Sequence, residues 1–186
     1  MGLGGYEVGN PPEKHAEAFE RARAAGLASV PHAGETEGPA SVWGALRTLE
    51  AVRIGHGVRS VEDPALLKEL VARQIPLEVC PTSNVCLGVA PSLEQHPLRK
   101  LLEAGANVTI NSDDPPMFNT DLTNEWLTCA QTFGWDMAML EKLSFNAVKA
   151  ALIPAAERAG FEERFRAEWE RVKGEVVGWS NSQVVR

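Results

Sequence analysis

Several features that mark particular classes of protein are scarce in this sequence. Its 186 residues include only 3 cysteines, an odd count without a C-x-x-C pair, which argues against a disulfide framework. No stretch approaches the roughly 18 consecutive apolar residues of a membrane span. The first residues resemble neither the basic nor the apolar part of a signal peptide. We therefore expect a soluble cytoplasmic protein, in which Cys80 ends an apolar run as a small buried side chain.

Positive charge is also in short supply. The sequence has 18 Lys and Arg against 25 Asp and Glu, a net charge of -7, and the basic residues form no stripe. This balance argues against nucleic acid or an anionic membrane as the main partner. With 44% apolar and 23% charged residues, the composition is that of an ordinary globular protein with one sizeable core.

Short apolar runs alternate with helical segments along the chain. This alternation predicts βαβ units and a parallel sheet, so the fold class is α/β. The predicted strands are Met1–Gly5, Leu27–Pro31, Val52–Ile54, Pro76–Cys80 and Asn107–Asn111. The predicted helices are Glu13–Ala25, Pro39–Leu49, Pro64–Arg73, Pro97–Ala104, Leu122–Thr132, Asp136–Ala150 and Glu157–Val172. A closed (β/α)8 barrel has eight strands in about 250 residues, so the count falls short of one.

Three short segments place ionisable side chains directly after predicted strands. They are His32-Ala33-Gly34-Glu35, Arg53-Ile54-Gly55-His56-Gly57 and Asn111-Ser112-Asp113-Asp114-Pro115. The carboxyl ends of parallel strands are where α/β folds bind ligands. A neutral imidazole is the commonest zinc ligand, and a nearby carboxyl group can donate or accept a proton. Together the segments indicate a hydrolytic metal site. Taken singly, each can also be an ordinary surface loop or turn.

The acidic pair Asp113-Asp114 favours a cation nearby. Adjacent carboxylates are unfavourable without a cation or hydrogen-bond donors. Pro115-Pro116 is expected to prevent an immediate helix and to stiffen the loop. Two other histidines, His15 and His96, are expected at the surface.

Five blocks of the sequence resemble the adenosine deaminase family, zinc hydrolases built on a (β/α)8 barrel. The blocks match in order and spacing, and the resemblance covers nearly the whole chain. They are Gly-Leu-Gly-Gly-Tyr-Glu, Ser-Val-Pro-His-Ala-Gly-Glu, Arg-Ile-Gly-His-Gly, Leu-Glu-Val-Cys-Pro-Thr-Ser-Asn and Val-Thr-Ile-Asn-Ser-Asp-Asp-Pro. The resemblance implies a TIM barrel of the metal-dependent hydrolase type, truncated to about strands 4–8 plus C-terminal helices. Residues 1–186 would be the C-terminal portion of a single barrel domain.

The resemblance also implies a role for each candidate residue in deaminating a purine nucleoside, most simply adenosine to inosine and ammonia. Glu35 would protonate the purine N1 while hydroxide attacks C6. His56 and Asp113 would orient that hydroxide and help to form it. Asp114 and the backbone of Gly5 would hold the ring nitrogens.

One Zn²⁺ per complete site is implied, with His32 and Asp113 among its ligands. The family takes two further ligands from a His-x-His motif on its first strand, and this sequence contains no such motif. Since a catalytic zinc normally has three protein ligands, we expect the chain to be inactive alone. Its open sheet edges are expected to favour self-association.

The substrate stays open on the sequence alone. Tyr6 stands where classical members of the family often carry an acidic residue, which leaves room for adenine or 6-aminodeoxyfutalosine as the substrate. A further alternative is a non-catalytic remnant of a deaminase.

Overall fold

The fold is built around one parallel sheet. The computed structural model describes the backbone of residues 1–183 and the side chains of residues 1–175. The chain divides into two compact units, the first from Met1 to Asn146 and the second beginning at Ala147. Five strands lie in the order β1-β2-β3-β4-β5. They are β1 (Gly2–Leu3), β2 (Val30–Ala33), β3 (Ile54–His56), β4 (Leu77–Val79) and β5 (Val108–Ile110).

Helices connect the strands and follow the last one. They are α1 (Ala16–Ala24), α2 (Pro39–Arg47), α3 (Pro64–Arg73), α4 (Pro81–Cys86), α5 (Leu98–Glu103), α6 (Pro115–Phe118), α7 (Leu122–Phe133), α8 (Met137–Ala150) and α9 (Ala155–Gln183), with 3-10 turns at Pro12–His15 and Val58–Glu62. Among the described residues, none of these helices combines the length and apolar character needed to cross a membrane.

Every strand pairs in parallel with its neighbour along the chain. His32 of β2 lies opposite Gly55 of β3, and Leu77 of β4 lies opposite Ile54 on one side and Val108 on the other. This arrangement confirms the predicted α/β class. It also brings the carboxyl ends of all five strands to one edge of the sheet, where the candidate residues were expected.

The core of the first unit lies between the sheet and its helices. The side chains of Ile54, Leu77 and Val108 are fully buried on three adjacent strands. Buried residues of α2, α3 and α5 cover them, among them Val42, Leu66, Leu70, Leu98 and Leu101. Burying a Leu, Ile or Val side chain contributes about 1.5–3 kcal/mol. The core therefore fixes the strand ends that carry the candidate site. Cys80 is buried as predicted.

Two predicted strands begin later than expected. Strand β2 begins at Val30, whose N–H donates to the carbonyl of Met1, and β3 begins at Ile54, whose N–H donates to the carbonyl of Pro76. Upstream, Leu27 and Val52 are exposed. The N–H of Leu27 still donates to Ala22 of the preceding helix, whereas that of Val52 donates to Ser29, just before β2. Strand β2 also ends later than predicted, at Ala33 rather than Pro31, so His32 lies inside the strand rather than beyond it.

The expectation that Pro115-Pro116 prevents a helix was wrong. Helix α6 begins at Pro115, and the unpredicted helix α4 begins at Pro81. Proline at the first helical positions is tolerated, because its missing N–H would have no partner within the helix there.

Candidate active site

Two histidines meet at the carboxyl edge of the sheet. His32 lies within β2 and His56 ends β3, and their rings are 4.9 Å apart in an edge-to-face arrangement. The residue opposite His32 is Gly55, where an added Cβ would lie 2.4 Å from the His32 ring. Only glycine leaves room for this imidazole, so the small residue before His56 is part of the site.

Two carboxylates converge on the buried His56. Its Nε2 lies 3.6 Å from Glu35 Oε2 and 3.9 Å from Asp113 Oδ2. The Asp113 carboxylate is aimed by Ser83, whose hydroxyl donates to Oδ2 at 2.7 Å. The structure thus brings together four of the residues singled out in the sequence.

Two of these residues have strained backbones. His56 has φ 63° and Asp113 has φ 56°, both in the left-handed region. Residues other than glycine seldom adopt this conformation, and those that do are concentrated at functional sites. The strained conformations support a functional interpretation of the two positions over that of ordinary turns.

Glu7 is a residue of the site that the sequence analysis missed. Its carboxylate accepts the backbone N–H groups of residues 34–37, at 2.6, 3.1, 2.8 and 2.8 Å, together with the hydroxyl of Ser41 at 2.5 Å. The loop that carries Glu35 is therefore wrapped around this one carboxylate. Gly34 makes the wrapping possible, since it has φ 68° and lies against Val42, where a Cβ would clash. Burial raises the pKa of Glu7, but these hydrogen bonds outweigh it and lower the pKa overall.

The environment of Glu35 favours a protonated carboxyl group. Burial, and then the nearby charges of Asp113 and Glu7, raise its pKa from 4.5 to about 7. One of its oxygens, Oε1, is buried without a hydrogen-bond partner among the described residues. Such a group can act as an acid near neutral pH.

Burial has the opposite effect on His56. It disfavours the charged imidazolium and lowers the pKa, the charge of His32 lowers it further, and Asp113 and Glu7 partly oppose the shift. His56 is therefore neutral at physiological pH in this structure.

A cleft of about 190 Å³ opens beside His32 and Glu35. It is lined by Gly5, Tyr6, His15, His32 and Glu35, among others. His15, expected at the surface, is half-buried in this wall.

The remaining candidate, Asp114, lies exposed at the start of α6, where its carbonyl accepts two backbone N–H groups of that helix. His96, also expected at the surface, is buried, which corrects that expectation. Its ring makes hydrogen bonds on both sides.

The donor atoms at this edge suit a metal ion. One possible ligand atom from each of His32, Glu35 and His56 lies within 4.8 Å of the others, and the same holds for His56, Cys80 (through its Sγ) and Asp113. Imidazole, carboxylate and thiolate are the ligands that zinc takes in proteins. Burial, followed by the nearby carboxylates, raises the pKa of Cys80 and keeps it a neutral thiol. The Glu35 carboxyl favours its protonated form and Cys80 its neutral thiol, so the imidazole of His32 and the carboxylate of Asp113 are the better zinc ligands in these two groups.

Parallel strands whose carboxyl ends present histidines and carboxylates define half of an amidohydrolase-type (β/α)8 barrel. A crystal structure of an amidohydrolase from Burkholderia ambifaria with bound Zn matches with a TM-score of 0.88 at 26% identity, covering 95% of this chain and 50% of that one. Residues 1–168 match the family model described as adenosine deaminase. The chain belongs to the adenosine deaminase family.

Curated relatives include proteins named aminodeoxyfutalosine deaminase and adenine deaminase. The chain is 52% identical over 159 residues to aminodeoxyfutalosine deaminase from Streptomyces avermitilis, covering 86% of this chain and 44% of that protein. It is 47% identical over 162 residues to adenine deaminase from Cupriavidus necator, covering 87% of this chain and 46% of that protein. The chain thus spans about half the length of the curated relatives it matches.

Proposed function

We propose that this chain carries part of the active site of a hydrolase that releases ammonia from a 6-aminopurine. The observation that carries the proposal is the carboxyl group of Glu35, which lines the cleft 3.6 Å from His56 Nε2 and has one buried oxygen without a hydrogen-bond partner among the described residues. The names of the relatives favour adenine or aminodeoxyfutalosine as the substrate, and this revises the first expectation of adenosine.

Each side chain has one task in the proposed reaction. Glu35 donates its proton to a ring nitrogen of the purine, which makes the neighbouring C6 more electrophilic. His56 orients the attacking water, and Asp113 takes a proton from it as the C6–O bond forms. Asp113 then passes that proton to the 6-amino group, so that the C6–N bond breaks and ammonia leaves, and the hydroxyl proton on C6 returns to Glu35. The backbone of Gly5 and the carboxylate of Asp114 hold the purine ring. Of these contacts, those of Asp114 require the substrate to extend toward the start of α6.

His32 and Asp113 would hold a zinc ion. When bound, zinc would supply Lewis acidity that lowers the pKa of a water ligand to about 7. Two ligands fall below the three of a typical catalytic zinc. We therefore propose that the chain is the C-terminal part of one barrel domain, and that a His-x-His motif outside this sequence completes the site.

The proposal is tested with a chimaera. The part of the Streptomyces avermitilis relative that precedes the matched region is fused to this chain, and ammonia release is measured on adenine, adenosine and 6-aminodeoxyfutalosine. We expect activity on one of these, highest on a substrate other than adenosine, and specificity is expressed as a ratio of kcat/KM values. A folded, zinc-loaded chimaera that is inactive on every aminopurine would refute the proposal.

Two glutamate variants of the chimaera separate catalysis from general damage. Glu35→Gln removes the proton donor and should lower kcat by about 10²–10⁴-fold. The exposed Glu20→Gln changes the same charge far from the site and should leave kcat within twofold. Zinc titration of the chain alone should show weak binding. One tightly bound zinc would contradict our proposal that this chain supplies only two of the zinc ligands.

A further inference from the structure

A chain of buried polar groups runs from His56 away from the cleft. Asn84 Nδ2 lies 3.4 Å from His56 Nδ1, and Asn84 Oδ1 lies 3.1 Å from His96 Nε2. At the far end, the backbone N–H of Leu98 donates to His96 Nδ1 at 3.0 Å. The side chains of His56, Asn84 and His96 are 2%, 0% and 3% exposed. Buried groups of this kind keep their hydrogen-bond partners, since an unpaired one is costly.

The Leu98 N–H determines which ring nitrogen carries the proton in both His96 and His56. A backbone N–H can only donate, so His96 Nδ1 is an acceptor and a neutral His96 carries its proton on Nε2. That proton is donated to Asn84 Oδ1, which turns the Asn84 amide NH₂ toward His56. His56 Nδ1 therefore accepts, and its own proton is on Nε2. Burial lowers the pKa of His96 to about 4, which agrees with a neutral ring.

We propose that Asn84 and His96 are positioning residues that hold His56 as the Nε2–H tautomer, with that N–H directed at the carboxylates of Glu35 and Asp113. The catalytic part of this inference rests on the proposed function, whereas the tautomer does not. A ring nitrogen that carries a proton cannot accept another one. The proposal therefore makes His56 a hydrogen-bond donor and leaves Asp113 as the acceptor of the proton from water.

The alternative is that the Asn84–His96 pair only ties α4 to the segment before α5. The backbone already fixes Asn84 without help from its side chain. Its N–H donates to Cys80 and its carbonyl accepts from Ala90. The side-chain amide is thus free to join the two histidines, donating to one while accepting from the other.

The test reads the tautomer directly. In the 186-residue chain labelled with ¹⁵N-histidine and stripped of metal, long-range ¹H–¹⁵N spectra show which ring nitrogen carries the proton. Single His→Gln variants at the other positions assign the signals. We expect His56 and His96 both as Nε2–H tautomers.

Asn84→Asp should reverse the tautomer of His56. A carboxylate accepts hydrogen bonds from both rings, so the proton of His56 moves to Nδ1 while His96 is unchanged. If Asn84→Asp does not fold, the variants His96→Gln and His96→Asn test the same proposal about the tautomer of His56. The Gln amide nitrogen reaches the place of Nε2 and should preserve the tautomer. The shorter Asn side chain cannot reach Asn84, and both tautomers of His56 should appear. A His56 signal that is identical in all variants would overturn the proposal.

The kinetic consequence is read in the chimaera described above. His96→Asn should lower kcat by about 10–100-fold with little change in KM, and His96→Gln should restore most of the loss. An equal loss of kcat in the two variants would contradict a positioning role. If the unmutated chimaera is inactive, the proposed function fails, while the spectra of the 186-residue chain still decide the tautomer.

Discussion

Glu7→Gln should destabilise the protein strongly although it removes no apolar contact. The carboxylate of Glu7 accepts four backbone N–H groups and the hydroxyl of Ser41. The amide of Gln has one acceptor oxygen, and its NH₂ group must face donors on the other side. Whichever way the amide turns, at least one partly buried N–H loses its acceptor.

The least costly orientation of the new amide sets the magnitude. With the oxygen of Gln in the place of Glu7 Oε2, the N–H groups of residues 35–37 stay paired. Ser41 can rotate its hydroxyl to accept, but Gly34 cannot. One unsatisfied buried donor costs about 1–3 kcal/mol, and the loss of the charge weakens the remaining bonds. We expect a loss of about 2–4 kcal/mol in the free energy of unfolding.

Urea unfolding measures this loss as a lower midpoint with an unchanged m-value. Glu20→Gln is the control, since it removes the same charge from an exposed side chain and should change the stability by under about 0.5 kcal/mol. Amide hydrogen exchange should also become faster in residues 34–37 of the Glu7→Gln variant. If the two variants are equally stable, the carboxylate does not hold the loop and our interpretation of Glu7 is wrong.

Three further predictions concern the same loop and strands. Glu35→Gln should stabilise the metal-free chain by about 1–2 kcal/mol at pH 8 but not at pH 4. Because the pKa of Glu35 is raised from 4.5 to about 7, the protonated side chain contributes its full stability below pH 4.5, and this contribution is lost as the pH rises through about 7. Solvent screening makes the effect smaller than the whole pKa shift implies. Unfolding curves over this pH range check it, and a pH-independent difference would contradict it. In the chimaera, Gly55→Ala should displace the ring of His32 and weaken zinc binding by about 10-fold or more, as measured by calorimetry. An unchanged zinc affinity would contradict this prediction. Arg59→Ala should lower the free energy of unfolding, measured with urea, by under about 1 kcal/mol. The side chain of Arg59 also donates to the carbonyl of Thr36 in the loop, but it is partly exposed and its contacts are solvated. A larger loss would show that the surface contact matters more than its exposure suggests.

The sequence predicts the order of elements well because each strand is a short apolar run between clear helix stops. It also predicts which residues gather at the carboxyl edge, since parallel strands fix that edge. Strand limits were less accurate. Hydrogen bonds to a neighbouring strand decide where β2 and β3 begin, and no local pattern near Leu27 or Val52 reveals them.

Two residues escaped prediction because of the kind of partner they have. Glu7 binds backbone N–H groups about 30 positions away, and backbone groups carry no sequence signal. His96 was expected at the surface because it directly precedes Pro97, yet Asn84 and the N–H of Leu98 satisfy both its ring nitrogens. The sequence signal that could have found it is the block Pro-Thr-Ser-Asn, whose asparagine follows a buried strand and needs a polar partner.

The sheet order also has a consequence for how the protein is made. Each strand pairs only with the strand before and after it in the chain, so 23 to 31 residues separate paired positions such as His32 and Gly55 or Leu77 and Val108. Loops of this length close at modest entropic cost. During synthesis, each new strand can join the edge left by the previous one as it leaves the ribosome. The sheet can therefore grow in one direction without waiting for a distant segment.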